Sequence, residues 1–90
     1  MKMKKKLYLY KIWMDGDAGW DEYDSAVVCA ENVGEAKRIH PGGYPFNRRT
    51  DKWEHNYGWT TDPNDVEVQY IGVANKDMEP GVVVASFNAG

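Results

Sequence analysis

The stretch His40 to Pro63, HPGGYPFNRRTDKWEHNYGWTTDP, constrains this chain more than any other. It has neither a helical nor a strand period, yet it carries both histidines, the adjacent Arg48 and Arg49, and the rings of Tyr44, Phe46, Trp53, Tyr57 and Trp59. Period-free segments of this length are uncommon in small domains; they are functional or contain structure of their own. In a chain of 90 residues this one separates two short runs of regular pattern, leaving room for a single core over residues 1–90.

The pattern before it reads β-β-α. Lys6 to Met14 is rich in β-forming residues and apolar on both faces, as expected of a central strand. DGDAGWDEYD follows as a hairpin loop, and Ser25 to Ala30 (SAVVCA) as a short buried strand pairing antiparallel with the first. Glu31 to His40 switches to a helical period. Asn32 is suited to cap the helix, Glu35 makes a variant of the capping box, and Val33, Ala36 and Ile39 fall on one face. Pro41-Gly42-Gly43 ends it.

After the irregular segment, Val66 to Ala74 (VEVQYIGVA) alternates until Gly72, where a bulge is expected. NKDMEPG is a turn, and Gly81 to Phe87 a fourth strand. The expected fold is α+β: a four-stranded, mostly antiparallel sheet in the order β-β-α-β-β, with one short helix on a face and the long aromatic segment before the third strand. An additional strand is expected near Gly58 to Thr61.

Charge narrows the function. The net charge of −3 opposes coating of duplex DNA, which needs a basic face. The charge is nonetheless segregated: Lys2, Lys4, Lys5 and Lys6 begin the chain, Arg48, Arg49 and Lys52 form a second basic group, and Asp15, Asp17, Asp21, Glu22 and Asp24 make an acidic loop. With one cysteine, Cys29, no internal disulfide forms. The basic start lacks a signal-peptide core and no run is long enough to span a membrane, so a cytoplasmic location is expected.

Catalytic and metal signatures are weak. Asp15 and Asp17 open like a calcium loop, but Gly19, Trp20 and Ala26 occupy positions where it needs other residues. Cys29, His40 and His55 lack zinc spacing, and Cys29 sits in a strand as a small apolar residue. No cofactor and no catalytic residue is expected. An enzyme acting on nucleotides, with His40 and His55 as acid and base, is the remaining catalytic alternative.

Binding is the stronger reading. Arginine forks clamp phosphates or carboxylates while rings stack on bases or side chains. The candidate ligand site is Arg48, Arg49, Lys52, His55, Tyr44, Phe46 and Trp59; the competing use of these rings is to cover the sheet, with the cations as a solvated rim. A second candidate surface, for a protein partner, is Trp20, Tyr23, Asp21 and Glu22.

LYLYKIW, EYDSAVVCAEN, EAKRIHP, DVEVQYIGVA and GVVVASFNAG together resemble a group of small accessory proteins of bacteriophages and prophages. The resemblance implies an accessory protein acting in the host bacterial cytoplasm, of a kind that often counters host defences. The expected function is a non-enzymatic inhibitor of a bacterial defence system. It would sequester a nucleotide-derived signal, for which a homo-oligomer gives better cover, or capture a defence protein. A virion-assembly component, joining neighbours through exposed strand edges, is the structural alternative.

Overall fold

The structure, a computed structural model, describes residues 6–14 and 21–88. Six strands and one helix follow one another: β1 (Tyr8–Met14), β2 (Glu22–Ala30), α1 (Val33–Lys37), β3 (Phe46–Asn47), β4 (Lys52–Trp53), a 3-10 turn at Pro63–Asp65, β5 (Val66–Val73) and β6 (Gly81–Asn88). β5, β1, β2 and β6 form one antiparallel sheet in that spatial order, and β3 and β4 form a separate small hairpin. The α+β class and the central place of the first strand are as the sequence predicts.

Register explains which residues are inside. Tyr10 pairs with Val28 and Ile12 with Ala26, while β5 sets Val68 beside Ile12 and Val66 beside Met14. Because side chains alternate along a strand, these residues share one face. Onto that face pack Ala36 of α1 and the two indoles Trp53 and Trp59, completing the buried cluster. Alanines at 26, 30 and 36 keep the surface low, so that a short helix and large rings can approach it closely.

Three bulges shape the sheet. Ile71 is inserted in β5 opposite Leu9 and Tyr10, next to the glycine that suggested it. Asp24 and Val83 are inserted on the β2–β6 pair. The insertion at Asp24 brings Tyr23 opposite Phe87, a pairing that simple alternation does not produce.

Several expectations are corrected. Glu22 to Asp24 belong to β2 rather than to a hairpin loop; Asp15, Asp17 and Trp20, like Lys2, Lys4 and Lys5, lie outside the described residues. The helix is only five residues long. Asn32 caps it, accepting from the Glu35 N–H at 2.8 Å, but the Glu35 carboxylate turns to Arg38 and Arg48 rather than back to the cap. Val33 is exposed, leaving Ala36 and Ile39 as the inward residues. NKDMEPG does contain the expected turn, closed by the Met78 N–H to the Asn75 carbonyl at 2.9 Å, but as part of a connection between opposite edges of the sheet, β5 and β6. The extra strand expected near Gly58 to Thr61 is absent, and the aromatic segment instead contains β3 and β4.

Candidate functional site

From His40 onward the aromatic segment lies across the sheet face. Pro41 and Gly42 turn the chain, and the Gly42 N–H donates to His40 Nδ1 at 2.8 Å. An accepting Nδ1 leaves the proton on Nε2, which faces the Asn56 and Tyr57 carbonyls without a hydrogen bond of normal geometry. Four rings enclose this imidazole: Tyr44 at 4.8 Å, Tyr23 at 5.8 Å, Trp53 at 5.9 Å and Trp59 at 6.4 Å between centroids. His40 is 1% exposed, and burial pushes its pKa down to about 4, against a small upward pull from those two carbonyls. His40 is thus a neutral core residue at ordinary pH. Tyr44 lies between it and His55, whose ring is 5.5 Å away on the outer side.

The hairpin formed by β3 and β4 carries the basic residues. Asn47 Oδ1 accepts from the N–H groups of Arg49 and Thr50, and Asp51 adopts φ 60°, which together close the turn. Trp53 anchors the hairpin: its indole Nε1–H donates to the Arg38 carbonyl at 2.8 Å. Phe46 packs on Trp53 at 5.6 Å and lies under the Arg38 guanidinium. Arg48 reaches across to pair with Glu35 of α1, holding the Glu35 carboxyl below the ordinary carboxylate range. Arg49, Lys52 and His55 are exposed.

The candidate ligand residues therefore divide. Arg48 is committed to an ion pair, Phe46 and Tyr44 are half-buried, and Trp59 is a core residue rather than a surface ring. Two shallow grooves, each of about 230–250 Å³, lie elsewhere. One is lined by Met14, Thr60, Asn64, Asp65 and Glu67, the other by Ala30, Glu31, Glu35, Ile39, Pro80 and Gly81. The ring-rich segment lies flat, with Trp53 and Trp59 inward, and none of its rings lines either groove, Thr60 alone of its residues bordering the first.

At the other end of β2 the candidate partner residues are joined by two that sequence reading left out of the site. Tyr23 packs edge-on to Phe87 at 4.8 Å, and Phe87 stacks on Tyr57 at 6.2 Å with the planes 19° apart. Tyr57 is 57% exposed and Phe87 38%. Two backbone bonds hold this end together: Tyr23 N–H to the Gly58 carbonyl at 2.9 Å, and Asp21 N–H to the Asn88 carbonyl at 2.7 Å. Asp21 is exposed and Glu22 half-buried beside the rings. Tyr57 had a signal in its aromatic surroundings; Phe87 had none, because the Asp24 bulge that brings it there has no signature.

Among the described residues no three His, Cys, Asp or Glu side chains gather in a way that could hold a metal, and no helix is long and apolar enough to cross a membrane. Cys29 is fully buried, with burial pushing its thiol pKa up. Comparison of the chain with protein-family models, with curated proteins and with solved structures finds no match.

Proposed function

We propose that this chain is a non-enzymatic binding protein that captures another protein through the face formed by Tyr57, Phe87 and Tyr23, flanked by Asp21 and Glu22. The observation that carries this reading is the stacked Tyr57–Phe87 pair, which stands in solvent on the end of a packed sheet. Stacked rings already restrained by their neighbours lose little entropy on binding, and exposed aromatic anchors are what protein interfaces favour. Following the resemblance to phage and prophage accessory proteins, the captured protein is a component of a bacterial defence system in the host cytoplasm.

A nucleotide-derived signal is the second reading. It is supported by the exposed Arg49 and Lys52 of the hairpin and by His55, whose exposed ring packs beside the half-buried Tyr44.

The test is a pull-down from a host carrying defence systems, using the wild-type chain, Tyr57→Ala/Phe87→Ala and Arg49→Ala/Lys52→Ala, with melting curves confirming that each folds. Loss of the partner in the ring variant alone supports capture at this face. Retention of the partner by that variant refutes it. A thermal shift with cyclic or ADP-ribose-type nucleotides that disappears in Arg49→Ala/Lys52→Ala moves the assignment to the second reading.

A further inference from the structure

We infer that copies of this chain join head to tail, the outer edge of β6 in one copy pairing antiparallel with the outer edge of β5 in the next. β5 and β6 are the two edges of the sheet, and among the described residues no strand lies against either outer side. Such an edge presents a row of backbone N–H and C=O groups that another strand satisfies as a set. Proline and lysine, which commonly blunt an edge, are missing from both strands, and their one charge is Glu67. Apolar side chains gather there as well. Of the eight large ones left exposed among the described residues, six are on these strands: Tyr70, Ile71 and Val73 on β5, and Val83, Val84 and Phe87 on β6.

The bulges select the partner. An inserted residue throws the side chains beyond it out of step with a regular strand, so a bulged edge pairs along its length only with an edge bulged at the same place. β5 and β6 meet that condition. Gln69 and Gly72 of β5 stand beside Lys11 and Leu9, and Val84 and Gly81 of β6 beside Val27 and Cys29, all on the sheet face away from α1. Between the first two lie Tyr70 and the inserted Ile71; between the second two lie Val82 and the inserted Val83. Setting Gln69 opposite Val84 therefore sets Gly72 opposite Gly81 and the two bulges opposite each other. It also pairs Val66 with Phe87, Glu67 with Ser86 and Val68 with Ala85, every pair on a common face. The strand directions agree, because β5 and β6 run antiparallel and a neighbour in the same orientation presents β5 to β6 antiparallel.

Either edge against itself does worse. About a two-fold axis β6 falls out of step past Val83 and β5 past Ile71, and the β5 pairing puts two Glu67 carboxylates on one face of the ladder. Two-fold pairing also closes at a dimer, whereas β6-to-β5 contact leaves a free edge at each end and generates a row. One ladder over 66–72 and 81–87 is small beside the roughly 800 Å² per partner of stable complexes, so the row grows with concentration.

Sedimentation of the intact chain over a range of concentrations tests this. The wild type is expected to grow past the dimer as concentration rises. Gln69→Lys/Val84→Lys places like charges opposite each other and is expected to lose that growth. Gln69→Lys/Val84→Glu places opposite charges there and should recover it, associating about tenfold more tightly than the like-charged variant at low salt. Both positions are exposed, and melting curves check that both variants fold. In a two-fold pairing of either edge, position 69 or 84 lies near its own copy, so only head-to-tail pairing yields the recovery. A wild type that stays monomeric or stops at a dimer overturns the inference, as does a like-charged variant that associates as tightly as the oppositely charged one.

Discussion

Gly42 presses against His40 closely enough that a side chain there would crowd three rings at once, those of His40, Tyr23 and Tyr44. The Gly42 N–H donates to His40 Nδ1, and a Cβ at position 42 would lie 2.9 Å from Tyr23 Oη and 3.2 Å from His40 Nδ1. The glycine thus fixes the imidazole tautomer and lets Tyr23, itself packed on Phe87, close over it. The buried histidine and the exposed ring face are parts of one packed unit.

The first prediction concerns pH. His40 has a folded-state pKa of about 4 against 6.5 for an ordinary imidazole, so the unfolded chain takes up a proton that the folded chain refuses. Its contribution is complete above pH 6.5 and is lost as pH falls from there toward 4. Between pH 7 and pH 5 the expected loss of stability is about 2 kcal/mol, a window that lies above ordinary carboxylate titration. Urea midpoints at the two pH values measure it. In His40→Phe the difference between them should largely disappear, whatever the variant's absolute stability.

That histidine illustrates what could and could not be read from the chain. The strands were legible because VEVQY alternates while SAVVCA and LYLYKI are short runs dense in β-forming and apolar residues, and the bulge near Gly72 because the alternation visibly slips there. Asn32 announced the helix start through a local hydrogen bond. The β3–β4 hairpin was hidden: each strand is two residues long, too short for a period, and its stability comes from Trp53 reaching the Arg38 carbonyl fifteen positions away. The destination of Arg48 was equally hidden, since Glu35 lies across a turn that only the folded chain closes. Phe87 reached Tyr23 through an inserted residue, and insertions move a side chain without changing composition.

The second prediction contrasts the two buried indoles. Trp53 and Trp59 are 7% and 6% exposed, so they bury similar surface, but only Trp53 donates its Nε1–H, and Trp59 Nε1 is buried without a hydrogen-bond partner. Trp53→Phe removes a bond and strands the Arg38 carbonyl, whereas Trp59→Phe removes an unsatisfied donor. Trp53→Phe should therefore cost about 1 kcal/mol more than Trp59→Phe by chemical denaturation. Equal costs would mean that ring volume alone decides.

A third prediction follows from the Glu35–Arg48 pair. The Arg48 guanidinium bonds to Glu35 and, with Arg38, keeps its carboxyl pKa below 4.5. A depressed carboxylate stabilises the fold above its unfolded value, and that contribution fades as pH falls through the folded one. In Arg48→Ala the Glu35 midpoint should move up toward 4.5, read by NMR of the side-chain carboxyl. Because Arg48 is largely solvated, global stability should change little and in a salt-dependent way. The local effect should appear as faster amide exchange at residues 48–51, the tip that the pair tethers.

The last prediction tests how the ring face is positioned. Gly58 has φ +67°, and a Cβ there would sit 3.0 Å from the Asp21 carbonyl oxygen and 3.3 Å from Tyr23 Cδ2. Gly58→Ala therefore meets two obstacles, a left-handed backbone costing about 1 kcal/mol or more and a contact that forces the 56–58 turn away from β2. Moving the turn breaks the bond from the Tyr23 N–H to the Gly58 carbonyl and carries Tyr57 off Phe87. Gly58→Asn separates the two causes, because asparagine tolerates the left-handed region but keeps the Cβ. If close approach dominates, Gly58→Asn and Gly58→Ala should lose similar stability, about 2 kcal/mol, and both should weaken partner capture. If Gly58→Asn instead retains wild-type stability and binding, backbone strain alone sets the requirement for glycine and the contact with Asp21 is slack.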